Sequence, residues 1–247
     1  MRKVILHYHL FKNAGTSLDA AFKENFSEAE GEWVTKEFPN QPAANREQVR
    51  QWILDNEQAK CFSSHTALLP QPNYADIEVF PVIFVRHPID RIASAYSFEK
   101  KQGAETFGSV LARNTDLKGY IETRLALPHD RQCRNFHAHR FTYNNLGPID
   151  NSSAIEKGLE KLPFVGLVEK YEQSLELLQN KLEEFGFQNI SFRALKQNVS
   201  QDIKLTIEEK VEKVKKQIGE ELFGKLLAEN EIDFELYELV KEKFKDA

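Results

Sequence analysis

Three segments of the chain share one pattern, in which a short apolar run is followed by a helix-like stretch. Residues 3–10 alternate as a strand does, and a helical pattern begins at Ser17. The run PVIFV, residues 81–85, is continuously apolar, as in a strand buried on both faces, and a helical pattern follows it. Residues 163–168 repeat the arrangement before a long helix that ends at Gly186. This recurrence predicts an α/β fold with a parallel sheet flanked by helices.

The segments around these units are less regular. Residues 27–45 are polar and proline-containing, which predicts a loop, and residues 46–57 look helical. The stretch AKCFSSHTALL, residues 59–69, predicts a short strand that ends near His65. From 206 to 245 the chain is highly charged, with apolar residues every three or four positions, which predicts amphipathic C-terminal helices. No repeat or low-complexity linker divides the chain, so we expect one domain, 1–247.

Composition narrows the class of protein. The chain has 247 residues and a net charge of -5, which does not favour a nucleic-acid-binding surface. The two cysteines, Cys61 and Cys133, form no CxxC pair, and a reducing compartment is the simpler interpretation. The apolar run near the N-terminus is too short for a signal peptide, and no run is long enough to span a membrane. We therefore expect a soluble cytoplasmic protein without membrane insertion.

The turn after the first strand has the residues of a phosphate site. A helix N-terminus offers unpaired backbone N–H groups and the positive end of the helix dipole. Gly15 lets a ligand approach the backbone, Thr16 and Ser17 add hydroxyl donors, and Lys12 adds a positive charge. The candidate contacts in this turn are Lys12, Asn13, Ala14, Gly15, Thr16 and Ser17.

This turn differs from the loop of nucleotide triphosphatases, which reads GxxxxGK[ST]. Here the lysine precedes the glycine by three residues, so the usual Mg²⁺-binding arrangement is not specified. The pattern indicates a nucleotide that is handled differently. The alternative is an ordinary strand–helix turn that happens to contain a lysine and a glycine.

A second anion site is predicted in FVRHPIDRIASAY, residues 84–96. Arg86 follows the buried strand, at the end where open α/β sheets bind ligands, and Ser94 lies in the next helix. An arginine can hold a phosphate with two parallel N–H bonds. Two neighbouring anion sites would suit a bisphosphorylated nucleotide, although a surface salt bridge and a helix serine are the alternative. Arg91 is expected to be structural, paired with Asp90 or Glu99.

Together, FKNAGTS and FVRHPIDRIASAY resemble the sulfotransferase family, especially the branch with heparan sulfate 2-O- and 6-O-sulfotransferases. That family has a 5′-phosphosulfate loop of the form PK-x-G-[GS]-T-S and a 3′-phosphate motif of the form RDP-x-x-R-x-x-S. The matching residues are Lys12, Gly15, Thr16, Ser17, Arg86, Pro88, Arg91 and Ser94. The departures are Phe11 for proline, Ala14 for the first glycine, and His87 for aspartate.

The resemblance continues more faintly through FVGLVEKYEQSLELL, residues 164–178, and so covers most of the chain. It implies a P-loop-like fold of the sulfotransferase and kinase type. It also implies 3′-phosphoadenosine-5′-phosphosulfate (PAPS) as the co-substrate, with 3′,5′-bisphosphoadenosine (PAP) as its product and no metal requirement. The donor's 5′ end would lie on residues 12–17 and its 3′-phosphate on Arg86 and Ser94.

Sulfuryl transfer needs a base near the acceptor hydroxyl and a cation near the leaving oxygen. Lys12 is placed for the second role. His65 is our candidate base, because it follows a short strand as the histidine of related glycan sulfotransferases does. A capping or core-edge histidine is the alternative.

Four further histidines keep open roles. His7 and His9 share a face of the first strand, and His137 and His139 have the same spacing. Either pair could bind a metal, but no third ligand is indicated, and buried structural histidines are the simpler interpretation.

The acceptor side is the least specified. The stretch HDRQCRNFHAHRF holds Arg131, Arg134 and Arg140, which would suit an anionic or glycan acceptor, although a solvated basic loop explains them equally well. Lys196 or Ser200 would add a cleft contact. We expect a hydroxyl acceptor, either a carbohydrate or a small metabolite. The sequence does not indicate the oligomeric state. The alternatives are a P-loop small-molecule kinase and a non-catalytic nucleotide-binding module.

Overall fold

The computed structural model describes residues 1–142, 152–192 and 205–244. The strands are β1 (Arg2–Tyr8), β2 (Trp33–Thr35), β3 (Cys61–Ser64), β4 (Ile77–Val85) and β5 (Gly166–Leu167). The helices are α1 (Gly15–Asn25), α2 (Pro42–Asp55), α3 (Pro88–Lys101), α4 (Phe107–Asn114), α5 (Leu117–Ala126), α6 (Phe136–Thr142), α7 (Ser152–Glu160), α8 (Tyr171–Phe185), α9 (Ile207–Ile218), α10 (Glu220–Ala228) and α11 (Glu231–Glu242).

The strands form one five-stranded sheet in the order β2-β3-β1-β4-β5, and every pair is parallel. The expected α/β fold with a parallel sheet is therefore confirmed. The chain moves from β1 to one side for β2 and β3 and to the other side for β4 and β5. Such a change of direction opens a crevice at the carboxyl ends of the strands, where open α/β sheets bind ligands.

Helices cover both faces of the sheet. On one face, Leu18 and Phe22 of α1 pack with Leu178 of α8 against Ile5 and the aromatic residues of β4. On the other face, a second cluster joins α2, α6, α7 and α11 to the alternate side chains of β1. This alternation matters for the site, because His7 and His9 follow Ile5 on the face that α1 covers.

A third cluster lies apart from the sheet, where α3 and α5 pack against α9 and α10 through Ile92, Ile121 and Leu226. The charged C-terminal stretch is therefore helical and amphipathic, as predicted. Its first helix begins with a capping box, in which Thr206 and Glu209 each accept the other's backbone N–H. In the part of the chain described, no helix has the length and apolar character needed to span a membrane.

Several predicted boundaries were wrong. The expected loop at 27–45 contains β2 and the start of α2, because Gln41 caps that helix and Pro42 fits its first turn. The expected strand at 163–168 is shorter: only Gly166–Leu167 pairs with β4, and Val168–Lys170 turns into a 3₁₀ helix. The long helix that follows does end at Gly186, whose φ of 117° suits glycine.

Candidate functional site

Three neighbouring strands bring the candidate residues to one edge of the sheet. His65 follows β3, the turn 9–14 follows β1, and Arg86 follows β4. Because β1 lies between β3 and β4 and all are parallel, these three strand ends are adjacent. The strand order therefore puts the predicted phosphate turn between the candidate base and the candidate 3′-phosphate arginine.

The turn after β1 is tight, and its backbone is unusual. Lys12 has a φ of 63° and Ala14, which caps α1, has a φ of 60°. That left-handed region favours glycine, which explains why the sulfotransferase pattern has glycine at the position of Ala14. The first turn of α1 holds no acidic residue, and Ala14 provides no side-chain cap. Thr16 is exposed beside these backbone donors, an arrangement that suits an anion.

Gly15 lies against the His9 ring. A Cβ at this position would lie 2.1 Å from His9 Cδ2 and 2.4 Å from its Nε2. No side chain fits in that space, so the glycine is required for contact between the turn and the histidine.

Asn13 stabilises the turn from its buried side. Its side chain is buried, donates to the Phe11 carbonyl at 3.1 Å, and accepts from His137 Nε2 at 2.9 Å. The other ring nitrogen of His137 lies 3.1 Å from Asp233 Oδ2. Burial acts to raise the pKa of Asp233, but His137 and two backbone N–H groups hold it below its ordinary value. Asn13 and His137 are thus structural partners, and the Asn13 backbone N–H also stays within the turn, where it donates to the Leu10 carbonyl at 3.2 Å.

Arg86 joins the two predicted phosphate motifs directly. Its Nη1 donates to the Lys12 carbonyl at 3.0 Å, and its Nε and Nη2 both lie 2.7 Å from Asp90 Oδ2. Among the described residues these contacts use three of the five guanidinium N–H groups. The Arg86 head is thereby fixed beside the phosphate turn with donors remaining for an anion.

Lys12 extends across Phe98, with its Nζ 4.5 Å from the ring centre. Burial, and then the charges of Arg86 and Lys101, lower the pKa of Lys12. Like charges so close together favour binding of an anion, which would relieve their repulsion.

Ser94 lies on α3 one turn after Asp90 and so on the same helix face as the Arg86 contact. His87 precedes that helix and donates its backbone N–H to Glu169 Oε1 at 2.8 Å. Its ring packs edge-on against Phe234 and Tyr237, and burial lowers its pKa to about 4. The departure from the family's aspartate therefore puts a neutral, partly buried imidazole at this position.

His65 is exposed at the end of β3, and its backbone N–H donates to Glu37 Oε1 at 3.2 Å. Its ring centre lies 3.8 Å from that of His9. Partial burial and the neighbouring His9 lower the pKa of His65, whereas the carboxylates of Glu37 and Asp19 act to raise it. The side chain is therefore largely unprotonated near neutral pH and accessible, as a base must be.

Sequence reasoning missed Asp19. This carboxylate lies on α1 and contacts His7 Nδ1 at 2.8 Å, His9 Nδ1 at 2.7 Å and the Ser63 hydroxyl at 2.6 Å. The available signal was an acidic residue on the helix that covers the histidine-bearing face of β1.

His7, His9 and Asp19 form a group of three potential metal ligands in the described residues, with ligand atoms within 4.8 Å of one another. Each imidazole nitrogen, however, lies at hydrogen-bond distance from a different oxygen of Asp19. A hydrogen-bonded group accounts for this geometry without an ion.

Arg91 has different partners from those that the sequence predicted. Arg91 is buried and donates to Gln132, so the predicted pairing with Asp90 or Glu99 was wrong. Asp90 is held by Arg86, and Glu99 binds Arg124 and the Tyr120 hydroxyl. These partners are distant in sequence, which the helix pattern alone could not reveal.

The predicted acceptor arginines also differ from one another. Arg134 contacts Glu229 and the carbonyls of Leu125 and Leu127, so it fixes the loop before α6. Arg131 and Arg140 are partly buried, and their charges, after burial itself, lower the pKa of His139. Lys196 and Ser200 lie outside the described residues.

Comparison with known proteins agrees with this geometry. Residues 1–239 match the model of a family described as the sulfotransferase family. The chain belongs to the sulfotransferase family. It is also 38% identical, over 255 aligned positions, to an uncharacterized protein of Archaeoglobus fulgidus, with 99% of this chain and 98% of the relative covered. The family assignment indicates sulfuryl transfer in general and a hydroxyl-bearing acceptor; it does not single out the heparan sulfate branch.

Proposed function

We propose that this sulfotransferase family member is an enzyme that moves the sulfuryl group of PAPS to a hydroxyl acceptor, a carbohydrate or small metabolite. The contact between Arg86 Nη1 and the Lys12 carbonyl carries the proposal. It links two strand-end turns that each suit an anion, as a nucleotide phosphorylated at both its 3′ and 5′ positions requires.

The residues present fit such a donor. Residues 12–17 would hold the 5′-phosphosulfate, since the N-terminus of α1 offers backbone N–H groups without a side-chain cap and Gly15 lets this turn pack closely against His9. Arg86 and Ser94 would hold the 3′-phosphate, the arginine with the donors that Asp90 and Lys12 do not use.

His65 and Lys12 would have different roles in the transfer reaction. His65 removes the proton of the acceptor hydroxyl as its oxygen forms a bond to sulfur and the bond from sulfur to the bridging phosphate oxygen breaks. Lys12 donates a hydrogen bond to that oxygen as negative charge develops on it. The lowered pKa of His65 keeps it neutral at physiological pH, which this role needs.

Arg131 and Arg140 are our candidates for an anionic or glycan acceptor, and Arg134 would orient them by fixing the preceding loop. A cytoplasmic location remains a prediction. Nothing in the proposed chemistry requires a metal or a nucleic acid.

Thermal unfolding with PAP, compared with ATP and Mg²⁺, tests the donor. PAP at about 100 times its dissociation constant should add about 2.7 kcal/mol to the free energy of unfolding. For a chain of this size that is a rise in Tm of roughly 5–10 °C. Stabilisation by ATP and Mg²⁺ alone would favour a kinase.

Transfer of ³⁵S from labelled PAPS to a panel of hydroxyl compounds tests the activity. His65→Ala should abolish transfer and retain PAP binding, whereas Arg113→Lys, on the exposed side of α4, should leave both unchanged. If the wild type binds PAP and labels no acceptor, the chain is a nucleotide-binding module and the enzymatic proposal fails.

A further inference from the structure

Asp19, His7, His9 and Ser63 form a largely buried polar group, and its member His9 contacts the candidate base His65. Asp19 Oδ1 accepts from Ser63 at 2.6 Å and lies 2.8 Å from His7 Nδ1, and Asp19 Oδ2 lies 2.7 Å from His9 Nδ1. His7 is 1% exposed and the Asp19 side chain 17%, so solvent screens these contacts poorly. The role proposed above for His65 leaves this group without an assigned function.

The charge on Asp19 determines which atoms carry protons. Burial acts to raise the pKa of Asp19, but His7 and His9 hold it well below its usual range, so it is a carboxylate at neutral pH. A carboxylate only accepts hydrogen bonds, so the Nδ1 of His9 must carry a hydrogen. The neutral His9 therefore has its lone pair on Nε2.

His9 lies between the phosphate turn and the base. Its Cδ2–Nε2 edge faces Gly15 so closely that a Cβ there would be 2.4 Å from Nε2. Its face contacts His65, with ring centres 3.8 Å apart and planes inclined by 42°. Because Asp19 fixes Nδ1, the His9 ring cannot turn away from either neighbour.

We infer that Asp19 is a positioning residue: it orients His65 through His9, and its own negative charge lies close enough to support His65 as the base. This inference rests on the proposed function in treating His65 as the base. The catalytic contact itself belongs to His65, and Asp19 does not touch the substrate.

The charged and titratable groups around His65 determine the direction of the expected effect. They are His9 at the end of β1, Glu37 before α2, and Asp19 on α1. His9 acts to lower the pKa of His65, and the two carboxylates act to raise it. Asp19→Asn keeps the size of the side chain and removes its charge, so the pKa of His65 should fall in the variant.

The decisive measurement is the pKa of His65 by NMR of the histidine-labelled protein, with its signal assigned from a His65→Gln sample. In Asp19→Asn we expect this pKa to fall, because a negative charge that favours the protonated imidazole is lost. Asp233→Asn is the matched control, because it also removes a buried carboxylate from a histidine Nδ1, but one that does not face His65. It should lower stability and leave the His65 pKa unchanged.

Kinetics give the second readout. In Asp19→Asn the acidic limb of kcat against pH should move down with the NMR pKa, and kcat at neutral pH should fall about tenfold.

Equal His65 pKa values in the wild type and Asp19→Asn would overturn the inference. So would a tight, stoichiometric Zn²⁺ complex whose chelation shifts the His7 and His9 signals, since an ion would then organise the group. A shifted pKa in a protein that transfers no sulfuryl group would sink the proposed function and leave the placement of His65 by Asp19 intact.

Discussion

Replacing Gly15 by alanine tests the contact on which the site geometry depends. The new Cβ would lie 2.1 Å from His9 Cδ2, whereas ordinary carbon contacts are about 3.5–4.0 Å. The His9 ring would have to move by more than about 1 Å. Its Nδ1 is held at 2.7 Å from Asp19, so the movement must break that contact or shift the turn.

The effect of Gly15→Ala on the free energy of unfolding can be estimated from overpacking and helix propensity. Overpacking of this kind costs about 1–3 kcal/mol, and the better helix propensity of alanine returns at most about 1 kcal/mol. We therefore expect the free energy of unfolding to fall by about 1–2 kcal/mol, which lowers Tm by roughly 2–8 °C. Because the same backbone would bind the donor, the affinity for PAP should fall at least about tenfold.

Gly224→Ala is the matched control. Gly224 lies within α10 and is exposed, and a Cβ added there would meet no other part of the described chain within 4 Å. There alanine should raise the free energy of unfolding by about 0.5–1 kcal/mol and leave PAP binding unchanged. Calorimetry of both variants, with titration of PAP, makes the comparison. A Gly15→Ala protein that melts at or above the wild-type temperature would refute the close contact with His9.

Three further substitutions test other parts of the site. Arg86→Lys keeps the charge but cannot bridge Asp90 and the Lys12 carbonyl, so Kd for PAP by isothermal titration should rise about tenfold, and an unchanged Kd would contradict the bridge. Ala14→Gly relieves a φ of 60° and should raise the midpoint of urea unfolding by the equivalent of about 0.5 kcal/mol; a lower midpoint would argue against that conformation. His87 has a native pKa of about 4, so the unfolded chain binds the proton first as the pH falls below about 6.5, and the free energy of unfolding should drop by about 2 kcal/mol between pH 7 and 5. His87→Leu should remove most of that drop, and an undiminished drop would assign it to another group.

The parts of the fold that could be predicted depend on local pattern. Apolar runs identified β1 and β4, and glycine, proline and arginine directly after such runs marked the turns that the parallel sheet brings together. The place of those turns could be predicted from strand type and chain direction alone, because parallel strands all end at one edge of the sheet. The boundaries that failed, around β2 and β5, belong to edge strands of three and two residues. Such strands are stabilised by pairing with a neighbour more than by their own sequence.

The contacts that were missed are long-range. Asp19 reaches two histidines because α1 covers one particular face of β1, and Asp233 reaches His137 from a helix about a hundred residues later. Neither contact has a spacing that a sequence pattern could detect, since each depends on how helices pack on the sheet. The misassigned partners of Arg91 have the same cause: its guanidinium points away from its own helix toward Gln132.

Strand order also constrains where an acceptor can bind. In the binding mode proposed above, the nucleotide extends from the β1 turn toward Arg86 after β4, and its sulfuryl end would face the opposite neighbour, β3. His65 stands at the end of β3 and Glu37 beside it, both exposed. An in-line attack on sulfur requires the acceptor oxygen on the side away from the leaving phosphate. The acceptor would therefore enter over β3 and the segment between β2 and α2, and changes in that segment should alter acceptor choice without altering PAP affinity.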